Sequence, residues 1–576
     1  MNEHLITSHE ISLNEISTTS SSVQKISDIY EELTKFVITS LSPFRIIENP
    51  HLVKIFKSFN VELPSRKAMI SIIKKLHDDV ITDIKAKVND IEFISATFDG
   101  WTAKYQNTGY IGITLHYLDQ SFQSQSIQIG IHKLVASHDS LNVSRLLRTK
   151  FEEYGIEKKI IYLAVDNACV MKNVCGHMNI EFVGCLNHLL NLIINRFFNS
   201  KIIEDNDIAQ SNESFDEFSD EESDSDGDEL FEEDNQEYEM TQNDPQIQYQ
   251  TQQINALQSV CQVLKKVKKL VKLFRKSTQL EKSLLASQEN TQHVLILDVK
   301  HRWNYTLKMI ERFISLYDNV LKILNNSKKH RKYAKFYLTT YDIEILGSLV
   351  ELLTPFKTVT DKLSGEKYST IDIALNSMLY IRNKINKSLT GTSRECEILQ
   401  NLLIDSFNFY MDKYNVFENE IYIAACMLNP NYFNFNYASE EEKRKFYAIG
   451  KTYIQEVDKK VNPNSNVAAC NTANTSKSHD SFFGEDIEEE EIGTNLEKEM
   501  IDLNNVQYNG TISNFWNTRK ETFPKLYSIA KYIITCHATS VPSERLFSSS
   551  SDQIWPKRNM LSDDMFERIV LIQKNI

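Results

Sequence analysis

Glycine and proline are scarce, at 15 and 10 of 576 residues. So few turn formers exclude a collagen, an elastic repeat or a proline-rich scaffold. No hydrophobic run approaches the roughly 18 to 20 apolar residues that a membrane helix needs. The first thirty residues mix His, Glu, Asn and Ser without the apolar centre of a signal peptide. Neither a membrane-bound nor a secreted chain is expected. The eight cysteines, Cys169, Cys175, Cys185, Cys261, Cys396, Cys426, Cys470 and Cys536, include no Cys-x-x-Cys pair. That spacing suggests neither a disulfide framework nor a structural zinc module, and it favours a reducing compartment, cytosol or nucleus. What is present is 41% hydrophobic, 10% aromatic and 25% charged residues. That is enough apolar material for two or three globular domains and too much for a disordered chain.

The formal charge of −14 is not spread evenly. Between Glu204 and Asp244 there are 19 Asp or Glu and no Lys or Arg, and between Asp480 and Glu499 nine acids face one Lys498. Setting aside those 19 charges and the net −8 of the second run leaves the remainder at +13. The part with globular composition is therefore basic. Acidic blocks without a periodic apolar face cannot repay the entropy of ordering, so both are expected to be disordered loops. The first is either a solvating insertion or a strip that competes with nucleic acid for a basic groove.

These runs divide the chain. Residues 1–25 are rich in Ser, Thr and Asn and read as a disordered N-terminus. Residues 26–88 carry helical apolar spacing, as in Ile26, Ile29, Tyr30, Leu33, Phe36 and Val37. Residues 89–200 read strand, strand, strand, helix, strand, helix, strand, helix. An acidic loop at 201–250 precedes an almost wholly helical stretch at 251–475. A second acidic loop at 476–500 leads into a helical C-terminal region at 501–576. The expected fold class is α/β: a mixed sheet with helical additions.

The strand-rich block ends two of its apolar runs in acids. Ile91 to Asp99, followed by Gly100 and Trp101, is β-prone, and Lys159-Ile-Ile-Tyr-Leu-Ala-Val-Asp166 is a continuous apolar run, hence a strand buried on both faces. Tyr110–Tyr117 and Ser126–Ile131 make two further strands with short connections, which favours an antiparallel meander. A helix follows from Ser140, read as its cap. Ligands gather at the carboxyl ends of strands in open α/β sheets. If the two acid-bearing strands are neighbours, their carboxylates converge and need a cation to offset their repulsion. Oxygen ligands of this kind suit Mg²⁺ or Mn²⁺, and paired ions clamp the attacking and leaving oxygens of phosphoryl transfer. Equally, Asp99 and Asp166 could simply open turns, as Asp-Gly and Asp-Asn do.

Thr97-Phe-Asp99-Gly-Trp101-Thr102, Tyr110–Tyr117, Ala164-Val-Asp166-Asn-Ala168, Cys185-Leu-Asn-His188, Arg302-Trp303-Asn304 and Ser543-Glu544-Arg545-Leu-Phe547-Ser548 resemble, in this order, the blocks of hAT-superfamily DNA transposases. The likeness runs from about residue 30 to the end of the sequence. It implies an RNase H-like catalytic fold whose sheet is interrupted, after its last strand, by a large all-α insertion. It also implies a DDE triad on Asp99, Asp166 and Glu544 that holds two divalent ions, Mg²⁺ or Mn²⁺, for metal-dependent DNA strand cleavage and transfer. The same resemblance implies a nuclear protein with DNA as partner and a C-terminal dimerisation region. The segment from Ser540 to Arg545 reads as a helix start with Ser540 as cap and Pro542 in the first turn, where Glu544 would also favour the helix dipole.

Other positions carry two readings each. Cys185 and His188 have zinc-like spacing but no second pair nearby, so no structural zinc is expected. The resemblance puts them, with Arg545, at the active-site rim. Trp303, beside Arg302, either packs in a core or stacks on an unpaired base. The helix around Val263–Lys276 sets Lys265, Lys266, Lys268, Lys269, Lys272 and Arg275 against an apolar face, as a solvated face or a phosphate-tracking surface. Near the C-terminus, Met565, Phe566, Ile569, Val570 and Ile572 form an apolar stripe. The resemblance offers Phe566, Ile569 and Val570 for dimerisation, and burial within one chain fits the stripe as well. Two departures stand out. Many hAT proteins begin with a BED-type zinc finger, whereas here the first cysteine is Cys169 and residues 1–88 hold only His4, His9, His51 and His77. His301 stands where Thr is usual before Arg-Trp, and Leu428-Asn429-Pro430-Asn431 replaces Leu-Asp-Pro-Arg. The expectation is a hAT transposase-like protein. Its rivals are a domesticated or decayed transposase-derived DNA-binding protein without catalysis, and an α/β scaffold that does neither.

Overall fold

In the computed structural model the described residues are 13–103, 108–134, 139–198, 251–289, 292–299, 303–326, 334–390, 393–463, 495–551 and 561–576. The expected acidic loop at 201–250 and most of that at 476–500 lie outside them. Residues 495–500 are helical instead of loop, because Leu496 and Met500 find a core and Glu499 accepts the Lys525 and Leu526 amides. The N-terminal expectation also gives way at Leu13, where helix begins.

Contacts divide the chain into two compact units. The first comprises residues 1–184, 366–368 and 535–576; the second comprises 185–365 and 369–534. Of the expected boundaries, 501 falls inside the helix Asn495–Asn504, and 200 lies outside the described residues.

The first unit starts with helices α1 (Leu13–Thr39), α2 (Pro50–Ser58) and α3 (Arg66–Asn89). Then come β1 (Ile94–Ala103), β2 (Thr108–Leu118), β3 (Ser124–Lys133), α4 (Ser140–Glu153), β4 (Ile160–Val165), α5 (Cys169–Met178) and β5 (Glu181–Gly184). Among the described residues they form one five-stranded sheet in the order β3-β2-β1-β4-β5. The meander β1-β2-β3 is antiparallel, while β4 and β5 add parallel to β1. Helix α4 is capped by Asp139, whose carboxylate accepts the Asn142 amide. The expected cap, Ser140, is its first helical residue: an ionised acceptor one position earlier serves the orphan amides better.

Alternation along β1 gives the sheet two unlike faces. Ile94, Ala96 and Phe98 join Ile113, Leu115, Leu163 and Val165 in an apolar layer. Ile84 and Val88 of α3, Val143, Leu147 and Phe151 of α4, and Val174 of α5 cover it. Each such buried aliphatic chain contributes about 1.5 to 3 kcal/mol. The other face carries Ser95, Thr97 and Asp99.

The second unit is helical among its described residues. In order it contains α6 (Leu186–Phe198), α7 (Thr251–Lys276), α8 (Thr278–Ala286), α9 (Trp303–Asn326), α10 (Thr340–Leu363), α11 (Ala374–Ile385), α12 (Arg394–Lys413), α13 (Glu420–Met427) and α14 (Glu440–Val461). It closes with α15 (Asn495–Asn504), α16 (Ile512–Arg519) and α17 (Pro524–Ile534). The chain then returns to the first unit with α18 (Val541–Ser551) and α19 (Asp563–Asn575). The α/β fold with a mixed sheet, interrupted after its last strand by an all-α insertion, is therefore the observed architecture. No helix among the described residues is long and apolar enough to cross a membrane.

Candidate active site

Parallel pairing of β1 with β4 matches Thr97 to Ala164. Continuing that register by two residues brings Asp99 level with Asp166, on adjacent strands about 4.8 Å apart. On the other side Asp99 pairs with Gly112, which places no side chain beside it. Each acid is oriented by its own backbone: Asp99 Oδ1 accepts the Gly100 amide at 2.9 Å, and Asp166 Oδ1 accepts the Ala168 amide at 2.9 Å. The turn-opening reading of these acids is thus met, without using up their remaining oxygens.

The third acid comes from the far end of the chain. Helix α18 starts after Ser540, whose hydroxyl donates to Glu544 Oε1 at 3.3 Å. Ser543, one residue before Glu544, lies with its Oγ 2.8 Å from Thr97 Oγ1. Thr97 and Asp99 share a face of β1, so this contact sets Glu544 down near Asp99. Asp99 retains some exposed surface, but its carboxyl is ringed by protein atoms. Burial, then the charge of Glu544, then that of Asp166, push its pKa well above the usual carboxylate range, against the Gly100 amide that lowers it. Asp99 therefore senses both of the other carboxylates. As placed they remain open: among the described residues no group of three His, Cys, Asp or Glu is tight enough to hold a metal ion.

Beneath the acids lies a buried polar cluster that sequence reasoning missed. Ser95, Thr97, Thr114, His116, Thr535, His537, Ser540 and Ser543 are all buried. His116 Nε2 lies 2.9 Å from Thr97 Oγ1, and its ring centroid is 4.1 Å from that of His537. Burial and the neighbouring His537 hold His116 well below the usual histidine range, and burial pushes His537 down to about 4. Both rings are neutral at pH 7. The available signal was polar residues at every second position of an otherwise apolar strand.

The remaining sequence-derived residues fall in both units. Arg545 is exposed and pairs with Glu366 at 2.5 Å. Cys185 and His188 belong to the helical unit, where the Cys185 Sγ accepts the His188 amide at 3.5 Å, so their spacing is that of a cap and first turn. Arg302 lies outside the described residues. Trp303 is only 8% exposed, so its ring is a core ring of α9. On α7, Lys266 pairs with Asp342, Lys268 with Asp298 and Arg275 with Glu281, while Lys269 sits 5.8 Å from the Phe336 ring centroid. Lys265 is half-buried, and Lys272 is exposed. Much of this basic face is already engaged within the chain. Phe566, Ile569 and Val570 are buried in this chain's own core: Phe566 and Val570 with Tyr110, Ile131 and Leu546, and Ile569 with Leu33, Val37 and Met69. Of the two readings of this stripe, these contacts are those of burial within one chain: it packs in the first unit.

Comparison with known proteins places three matches along the chain. Residues 97–190 match the ZBED1 RNase-like domain, 183–351 the ZBED1 RNase-like helical domain, and 496–576 the hAT family C-terminal dimerisation region. A putative AC transposase of Zea mays is 22% identical over 92% of this chain and 62% of its own length. A putative transcriptional regulator of Talaromyces stipitatus is 21% identical over 94% of this chain and 61% of its own. Human zinc finger BED domain-containing protein 4 is 20% identical over 50% of this chain and 24% of its own. The chain spans about six tenths of the length of the first two of these curated relatives. With sheet domain, helical insertion and C-terminal region following one another in the same order, the three matches and the relatives support a hAT-family transposase-like protein.

Proposed function

We propose that this protein is a nuclear DNA transposase that cuts and transfers DNA strands with Asp99, Asp166 and Glu544, and that it works as an oligomer through its C-terminal region. The observation that carries this reading is the crowding of Asp99 by Glu544 and Asp166 in a buried setting. Such a group is unfavourable as three bare anions and suited to divalent cations. Mg²⁺ or Mn²⁺ held there would neutralise charge on the attacking and leaving oxygens of the phosphodiester. The chain's own part is to present the acids from rigid elements: Asp99 and Asp166 from neighbouring strand ends and Glu544 from a capped helix start, drawn inward on binding. The exposed Lys272, and the cations of α7 whose surface ion pairs a phosphate can displace, suit DNA backbone. The Zea mays transposase supports the same class by its name.

A second reading is a DNA-binding protein without catalysis. It is favoured by the relative named as a transcriptional regulator, which matches the chain over 94% of its length. One experiment separates the two. The purified chain is incubated with Mn²⁺ and nicked or hairpin-forming DNA, beside Asp166→Asn. Cleavage that disappears in the variant supports the transposase. Salt-sensitive binding without cleavage favours the binding protein, and neither result leaves only a scaffold.

A further inference from the structure

We infer that His116, Thr97 and Ser543 form a one-directional hydrogen-bonded relay that positions Glu544 against Asp99, and that they are positioning residues of the site. This rests on the reading of Asp99, Asp166 and Glu544 as a metal-holding triad, and it adds residues that the triad itself does not name.

The donors and acceptors allow a single economical arrangement. His116 is neutral and fully buried, so one ring nitrogen carries hydrogen. Its Nδ1 has no hydrogen-bond partner among the described residues. A buried N–H without a partner is the costlier vacancy, so the hydrogen belongs on Nε2. That Nε2–H donates to Thr97 Oγ1, 2.9 Å away. The Thr97 hydroxyl then donates onward to Ser543 Oγ at 2.8 Å, and Ser543 donates to Thr114 Oγ1 at 3.5 Å. Each hydroxyl gives once and receives once. His537, its ring tilted against that of His116 at 4.1 Å between centroids and also neutral, adds no competing charge. A second tie, from Ser95 Oγ to the Thr535 carbonyl at 2.8 Å, holds the segment leading into α18 on the same strand.

The consequence is mechanical. Ser543 sits over Thr97, and one residue later in the helix stands Glu544, while two residues later in the strand stands Asp99. Rotation or sliding of α18 would break a buried hydroxyl contact before it moved the acid far. Networks of this kind are stiff because each unmade bond leaves a desolvated polar atom.

The test uses the full chain with Thr97→Val, Ser543→Ala, Thr97→Ser, His116→Gln and Asp166→Asn. Two quantities are read: Mn²⁺ affinity by calorimetry without DNA, and amide hydrogen exchange of residues 541–546 without metal. Thr97→Val and Ser543→Ala should each weaken Mn²⁺ about tenfold and speed exchange of the helix start by a similar factor. Thr97→Ser, which keeps the hydroxyl, and His116→Gln, which keeps a donor near the Nε2 position, should restore most of both. Faster exchange with wild-type Mn²⁺ affinity would overturn the inference, since the relay would then be structural only; unchanged exchange would overturn it outright. If wild type and Asp166→Asn both ignore Mn²⁺, the triad reading fails by itself, and the exchange result still decides whether the relay holds the helix.

Discussion

Asp372, in the helical unit, lies 2% exposed in the turn before α11 and receives the Asn429 side-chain amide at 2.7 Å. Burial raises its pKa from 3.8 to about 6, despite opposing hydrogen bonds from Ser369, Asn429 and its own backbone. An acid whose folded pKa exceeds its unfolded value binds its proton more tightly in the native state. Its contribution is therefore full below the unfolded value, near 3.8, and is lost as pH climbs through about 6. The shift of some two units corresponds to about 3 kcal/mol at neutral pH. Asp372→Asn removes the charge and keeps an oxygen for Asn429. It should stabilise the helical unit by about 1 to 3 kcal/mol at pH 7.5, the lower end allowing for imperfect amide placement. The gain should shrink toward zero at pH 4. Calorimetric unfolding of wild type and variant between pH 4 and 7.5 measures the difference, which should appear as a few degrees in one transition. A gain of equal size at both ends of that range, or a loss at pH 7.5, would refute the assignment of the strain to an ionised buried carboxyl.

Three further outcomes are expected. Asp99 carries the same sign of shift, so Asp99→Asn should raise the metal-free melting temperature at pH 7.5 and abolish any rise that Mn²⁺ gives wild type; a variant still stabilised by Mn²⁺ would count against the triad. Gly450→Ala places a methyl 2.2 Å from Met427 Sδ and 3.0 Å from Ile423 Cγ2. It should cost about 1 to 2 kcal/mol in urea unfolding, because overpacking between α13 and α14 exceeds the helix-propensity gain; a neutral variant would mean that the thioether simply swings aside. Asp298→Asn releases Lys268 from its 2.6 Å ion pair, so binding to a generic duplex should tighten and the salt dependence steepen by up to about 0.9 in log–log slope. An unchanged slope would remove α7 from the DNA-contacting surface.

The sheet was readable because its signals are local. Strand periodicity, an acid at each strand end and short connections give the order β1-β2-β3, and the apolar run before Asp166 identifies a strand flanked on both sides. Glu544 was reached only through the family likeness, since nothing near Ser540–Arg545 announces a partner more than 370 residues upstream. The relay escaped notice for the same reason: Thr97 meets Ser543 at a separation of 446 residues. On α7 the periodicity correctly separated the apolar from the basic side. Spacing could not reveal that Asp342, Asp298 and Glu281 answer three of its cations. The departure at Asn429 also acquires a meaning in three dimensions. An aspartate there would face Asp372 across 2.7 Å, whereas the amide donates to it.

The sheet faces differ in when they can be finished. The apolar side is covered mainly by α3, α4 and α5, encoded close to the strands, with Leu571 of α19 the one late addition among its buried residues, but the acid-bearing side waits for residues 535–576, which a ribosome delivers about 350 residues after β5. Throughout that interval a nascent or prematurely terminated polypeptide lacks Glu544 and exposes Thr97, Thr114 and His116.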